Sequence, residues 1–155
     1  IRKAKEYLNL AKEQLKERKQ QFDEQIRIGI MIEIPAIALI ADLAAEEVDF
    51  ASIGSNDLTQ YLSAADRMNP EVAAYYKSDS TAMLRLLGFV FREFSKREKE
   101  ISVCGEMAGN PETAQLLVGL GARKLSMSSG NIAGVKAKLA ECTLQELTAL
   151  AEKKL

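Results

Sequence analysis

Ile28-Gly29-Ile30-Met31-Ile32-Glu33-Ile34-Pro35-Ala36 is the stretch that decides the fold. Its first five residues are apolar without polar alternation, the pattern of a short strand buried on both faces of a parallel sheet. A carboxylate follows at once. Pro35 then suits the first turn of a helix, and Ala36 to Glu47 has helical composition. Strand, polar residue and helix form one βα unit, and the same unit recurs along the chain.

Asp49 to Gly54 reads as a second strand, emptying into Ser55-Asn56-Asp57, a loop that also offers good helix caps. Ile101 to Cys104 reads as a third, and Ala122 to Met127 contains a fourth. A polar stretch with short helical pieces runs to Ser80. Thr81 to Lys99 then carries Met83, Leu84, Leu87, Val90, Phe91 and Phe94 at helical spacing. Asn110-Pro111-Glu112 supplies an N-cap and an N1 proline, and Thr143-Leu144-Gln145-Glu146 is a capping box before a closing helix that presents Leu144, Leu147 and Leu150. Ahead of everything, residues 2 to about 25 read as a long amphipathic helix marked by Ala4, Leu8, Ala11 and Leu15. The expected order is α-(βα)-(βα)-(βα)-(βα), an α/β fold with a parallel sheet and right-handed crossovers. Four units cannot close an eight-stranded barrel, which takes about 250 residues. A small open sheet and half a barrel both remain.

The 155 residues fit one domain, and 47% hydrophobic with 28% charged residues supplies a real core. With 21 Lys+Arg against 22 Asp+Glu the net charge is -1, which argues against nucleic acid or an acidic membrane recognised through bulk charge. The apolar stretch from Ile28 to Ala41 is interrupted by Glu33 and Pro35, so no membrane span is expected. Cys104 and Cys142 lie far apart with no secretory signal, which fits free thiols in a cytoplasmic protein. Histidine is absent altogether, which removes His-based triads, the usual zinc sites and any imidazole proton shuttle. The chain does not begin with Met, as expected of a fragment or a processed product.

Each expected strand ends in polar groups: Glu33, then Ser55-Asn56-Asp57, then Cys104-Gly105-Glu106, then Ser126 and Ser128. In parallel α/β folds these ends share one rim, where ligands bind. Glu33 and Asp57 suit a hard divalent ion such as Mg²⁺, which takes one or two protein carboxylates and fills its shell with water and phosphate. Equally, Glu33 precedes a turn proline and Asp57 can cap a helix. Asn56 is a turn residue or an amide donor to an anion. Arg67 is a surface charge or a phosphate clamp. Cys104 is a small buried residue, or a thiol acting as acid, nucleophile or ligand. Cys142 reads as structural, and Met31, Met83 and Met107 as core fillers.

Four motifs occur in order: Ile30-Met31-Ile32-Glu33-Ile34-Pro35; Asp49 through Ser55-Asn56-Asp57-Leu58-Thr59-Gln60-Tyr61; Ala65-Asp66-Arg67-Met68-Asn69; and Val103-Cys104-Gly105-Glu106-Met107-Ala108-Gly109. Together, over about Ile28 to Met127, they resemble the phosphoenolpyruvate-binding domain of Enzyme I of the bacterial sugar phosphotransferase system. The resemblance implies the C-terminal half of a (βα)8 barrel, with 1–155 as a partial barrel domain. It implies Glu33 and Asp57 as Mg²⁺ ligands, and Asn56, Asp57 and Arg67 as phosphoenolpyruvate contacts. It also implies Cys104 as the acid that protonates the enolate to pyruvate. Ser55 stands where threonine is usual in that family, keeping the hydroxyl.

The family's other parts are not found in this sequence. These are the first half of the barrel and the N-terminal domain whose histidine receives the phosphoryl group and passes it to the histidine-containing phosphocarrier protein. The chain by itself is therefore expected to be inactive in transfer, to keep weak ligand binding, and to form a homodimer. A pyruvate phosphate dikinase or phosphoenolpyruvate synthase fragment shares the Glu, Asn-Asp and Cys-Gly-Glu elements, and a non-catalytic regulatory or interaction module is the remaining alternative.

Overall fold

A computed structural model describes residues 1–155. In order, the elements are α1 (Arg2–Glu17), β1 (Gly29–Ile32), α2 (Pro35–Leu39), α3 (Ala41–Glu46), β2 (Phe50–Gly54) and α4 (Ser55–Ser63). A 3₁₀ turn at Ala73–Tyr75 follows, then α5 (Thr81–Lys96), β3 (Glu100–Cys104), α6 (Glu106–Gly109), α7 (Pro111–Gly119), β4 (Leu125–Ser126), α8 (Ser129–Ala140) and α9 (Leu144–Glu152). The four strands are parallel and adjacent in chain order, β1-β2-β3-β4. With right-handed crossovers and no reversal of strand order, the connecting helices collect on one face of the sheet.

Burial follows that asymmetry. Ile32, Ala51, Ile53 and Val103 point to the helical side and are fully or almost fully buried. They meet Leu84, Leu87, Val90, Phe91 and Phe94 of α5, Ala38 and Ala41 of α2 and α3, and Leu117 of α7 in one core cluster. The apolar face of α5 read from the sequence is the buried one at every position named. Alternate residues occupy the other face. There Met31 lines up with Ser52 and Ser102, and Gly54 with Cys104 and Ser126.

That second face is small, polar and partly open to solvent, which corrects the expectation of strands buried on both faces. Met31 is corrected with it: at 47% exposed it is no core filler, whereas Met83 and Met107 are. The fully apolar run at Ile28–Ile32 hid the distinction, because a thioether is at home on either face.

Several helix ends differ from the expected ones. The first helix stops at Glu17, not near residue 25. Its apolar stripe ends at Leu15, and Lys19 turns the chain at φ 54 while its N–H and that of Gln20 bond to the carbonyls of Lys16 and Leu15. The same left-handed closure stops α5 at Lys96, with Glu98 in the special position. The helical segment 36–47 is two short helices, broken at Ile40. Ser55, Asn56 and Asp57 are the first turn of α4 and not a loop.

At the far end the expected caps are in place. Asn110 accepts from the Glu112 and Thr113 N–H groups, and Thr143 and Glu146 form a reciprocal capping box. Of the closing helix, Leu147 is buried while Leu144 and Leu150 are exposed. No helix is long and apolar enough to cross a membrane.

Candidate active site

The rim at the carboxyl ends of the strands is held together by backbone-directed hydrogen bonds between α4 and the β3–α6 turn. Ser55 Oγ donates to the Cys104 carbonyl at 2.7 Å. Asn56 Oδ1 accepts from the Glu106 N–H at 3.0 Å. Because its oxygen is used in this way, the Asn56 amide nitrogen is left to donate to a ligand. Gly105 lies between the two contacts at φ 104 and ψ -174. That backbone region is essentially reserved for glycine. A Cβ there would sit 2.5 Å from Ser55 Oγ and 2.7 Å from Asn56 Oδ1. Close approach and unusual backbone both require this glycine.

Cys104 ends β3 on the open face, half-buried. Its Sγ is 3.4 Å from the Ile53 carbonyl oxygen and 3.9 Å from Met31 Sδ, so the thiol proton has two acceptors in reach and neither is a charge. Gly54, its neighbour in register, is the meeting point of two more groups. A Cβ at Gly54 would lie 3.1 Å from Glu33 Oε2 and 3.3 Å from Met31 Sδ. Glu33 therefore folds back over the end of β2, toward the side of the sheet that carries Cys104.

Asp57 follows in the first turn of α4, where the helix dipole favours a negative side chain. It faces Arg67 Nη1 at 3.4 Å, with both side chains about two-fifths exposed, 41% and 39%. An exposed pair of this kind contributes only about 0–1 kcal/mol. Either partner is free to exchange it for an incoming ion or anion at small cost.

A cleft of about 380 Å³ opens at this rim, lined by Asn56, Cys104, Glu106, Ser126, Ser128 and Asn131 among others. The candidate residues thus fall into three adjoining groups. Asn56 and Cys104 line the cleft. Glu33 packs over Gly54 beside Met31, which touches Cys104. Asp57, in the first turn of α4, pairs with Arg67. No group of three or more Asp, Glu or Cys side chains gathers to enclose an ion. Glu33 and Asp57 stand in different groups of the three, Glu33 against Gly54 and Asp57 against Arg67. An ion such as Mg²⁺, which takes only one or two protein carboxylates and fills its shell with water and phosphate, is the kind that does not need a closed protein cage.

One group at the site carried no signal in the sequence. Tyr76 reaches in from the irregular segment after α4, and its hydroxyl donates to the Asn56 carbonyl at 3.1 Å. Burial, then the Glu106 carboxylate, pushes its phenol above the ordinary tyrosine value, with Arg67 pulling the other way. It stays a hydrogen-bond donor at neutral pH. Both cysteines are free, and Cys142 accepts from the Gln115 amide at 3.3 Å, in keeping with a structural place between α7 and the start of α9.

A sequence model of the family described as PEP-utilising enzyme, PEP-binding domain, matches residues 1–144. The chain is 45% identical over 142 residues to Multiphosphoryl transfer protein 2 of Escherichia coli strain K12, covering 92% of this chain and 17% of that protein. It is 42% identical over 153 residues to the Phosphoenolpyruvate-protein phosphotransferase of Bacillus subtilis strain 168, covering 99% of this chain and 27% of that protein. With the protein of the same name from Listeria monocytogenes it shares 42% identity over 155 residues, 100% of this chain and 27% of that protein. The chain spans about a quarter or less of the length of these relatives.

Proposed function

The chain belongs to the PEP-binding domain family of the PEP-utilising enzymes, and from that premise we propose that it is the phosphoenolpyruvate-binding part of a phosphoenolpyruvate-protein phosphotransferase. Such an enzyme moves the phosphoryl group of phosphoenolpyruvate to a protein histidine, which this chain does not contain. The observation that carries the proposal is the register of the sheet. It sets Gly54, Cys104 and Ser126 side by side at one rim, with Glu33 folded over Gly54 and Asn56-Asp57 opening the helix that follows.

In this reading Glu33 and Asp57 hold Mg²⁺, which when bound supplies positive charge to offset the charge that develops on phosphate and enolate oxygens. Arg67 leaves Asp57 and grips an anionic group of the substrate, using the planar donor fork that lysine lacks. The Asn56 amide nitrogen donates to a second anionic oxygen. Departure of the phosphoryl group breaks the bond between phosphorus and the enol oxygen and leaves the enolate of pyruvate. Cys104 then gives its thiol proton to the methylene carbon, completing pyruvate. Its two acceptors, a carbonyl and a thioether, hold that proton without abstracting it.

The open sheet face and the unpaired edges of β1 and β4 fit half of an eight-stranded barrel, and such edges need covering. In our reading the rest of the barrel, or a second copy of this chain, covers them. Relatives named phosphoenolpyruvate-protein phosphotransferase support this function over a dikinase or synthase one. Calorimetry of the 155-residue chain with phosphoenolpyruvate tests it. Saturable heat that requires Mg²⁺ is expected. No binding with the metal present overturns the proposal and leaves the non-catalytic module.

A further inference from the structure

The segment between α4 and α5, residues 64–80, has no regular element beyond the 3₁₀ turn. Most of it is exposed: Met68 is 81% and Tyr75 is 70% accessible. It nevertheless carries Arg67 to the rim. Several contacts tie it down. Ala65 is buried at 2%, and the Arg67 N–H donates to Gln60 Oε1 at 3.3 Å. Arg67 faces Asp57 at 3.4 Å, and Tyr76 donates to the Asn56 carbonyl at 3.1 Å.

The contacts of Ala65 and Arg67 fall at the start of the segment, where the Ala65 N–H also donates to the Gln60 carbonyl at 3.2 Å. Beyond Arg67, Asp79 faces Lys154 near the C-terminus at 4.0 Å, and Tyr76 is the contact that returns the segment to the first turn of α4. The segment is therefore a closed strap, stapled at Gln60 on one side of Arg67 and at Asn56 on the other.

We infer that Tyr76 is a positioning residue for Arg67, holding the strap against α4 so that the guanidinium stays at the rim when its pairing with Asp57 is given up. This rests on the reading that Arg67 and Asp57 exchange each other for substrate and metal. The ion pair cannot be what fixes Arg67 for binding, because binding dissolves it. The hydroxyl of Tyr76 donates to a main-chain carbonyl that is present in both states, and the Arg67 guanidinium also lies close enough to act on the phenol. The charged groups around the phenol are Glu106 from the start of α6, Arg67 from the strap itself and Asp57 from α4. Burial and Glu106 keep the phenol protonated, so the staple holds throughout the neutral range.

The test is Tyr76→Phe in the 155-residue chain, which removes the hydroxyl and keeps the ring's packing. Amide hydrogen exchange across residues 64–80 is expected to quicken by about 2- to 12-fold, the range one lost hydrogen bond covers. The dissociation constant for phosphoenolpyruvate with Mg²⁺ is expected to rise by a similar factor. In an Arg67→Ala background the same Tyr76→Phe change is expected to leave that constant within about twofold, since coupling is confined to partners. Unchanged exchange in the strap overturns the inference, and so does an equal loss of affinity with and without Arg67. A wild-type chain that binds no phosphoenolpyruvate sinks the functional reading alone, and the exchange measurement then decides the role of Tyr76 by itself.

Discussion

Replacing Gly105 with alanine strikes the joint that holds the rim together. At φ 104 and ψ -174 the new residue adopts a backbone that costs about 1–3 kcal/mol for anything but glycine. Its Cβ also arrives 2.5 Å from Ser55 Oγ and 2.7 Å from Asn56 Oδ1. Those atoms are ends of side chains and can rotate away. In doing so they abandon the bonds to the Cys104 carbonyl and the Glu106 N–H, each contributing about 0.5–1.5 kcal/mol.

The combined loss is about 2–6 kcal/mol, a large part of a typical domain's stability. For a chain of this size it lowers Tm by at least about 4 °C. Gly134→Ala is the matched control. It lies in α8 with nothing within 4 Å of an added Cβ, so it is expected to stabilise by about 0.5–1 kcal/mol. Thermal unfolding followed by circular dichroism reads both. A Gly105→Ala protein that melts within about 1 °C of the wild type would refute the stitched-rim reasoning, because neither the backbone nor the displaced bonds could then be worth what is assigned to them.

Cys104→Ser is expected to keep binding of phosphoenolpyruvate with Mg²⁺ within about threefold, since the hydroxyl preserves the shape, while turnover in an assembled enzyme falls by about 10²-fold or more, the usual worth of a positioned acid. Parallel calorimetry and pyruvate release check the two halves. Gly119→Ala puts a Cβ well inside contact distance of the Leu147 carbonyl oxygen, a main-chain atom that cannot rotate away. It is expected to cost at least about 2 kcal/mol and to separate α9 from α7, seen as early exchange of α9 amides during urea unfolding. The Glu146 carboxyl is held below its ordinary value by the backbone and side chain of Thr143. A depressed carboxylate contributes stability above the unfolded value of about 4.3 and loses it as pH falls through the folded value. Fraying of α9 is therefore expected to increase below about pH 4.5, and Glu146→Gln removes that pH dependence.

How much of this was legible in the chain differs by feature. The βα alternation was, because the apolar strand runs alternate with helical segments whose starts are marked by residues with a strong local preference: Pro35 for α2, Asn110-Pro111 for α7, Thr143 for α9. The helix ends after Glu17 and Lys96 were not. Their closures put Lys19 and Glu98 in the left-handed region, where the usual sequence cue is a glycine. Gly121 after α7, at φ 117, is the one closure of this kind marked by the expected residue. The open face of the sheet was also hidden, since the exposure of Met31 depends on what lies across from it and not on its neighbours in the chain.

At the site, the rule that strand ends share a rim made Glu33, Asn56, Asp57 and Cys104 candidates; Asn56 and Cys104 line one cleft, while Glu33 and Asp57 stand in separate groups beside it. Gly105 and Ser55 could be placed there too, but their mutual contact is a matter of angstroms that spacing does not encode. Tyr76 could not be found in this way. It follows irregular chain, and its partner is a carbonyl, a group every residue has.

The central claim is that Glu33 and Asp57 share one ion at the rim beside Cys104. Mn²⁺ in place of Mg²⁺ tests it directly, because its paramagnetism broadens the NMR signals of nearby nuclei. The account predicts that substoichiometric Mn²⁺ first erases the amides around Glu33, Gly54 and Asp57, that phosphoenolpyruvate strengthens the effect, and that Glu33→Gln abolishes it. Broadening centred at the opposite end of the sheet, around Arg27 and Glu100, or none at any position, would contradict it.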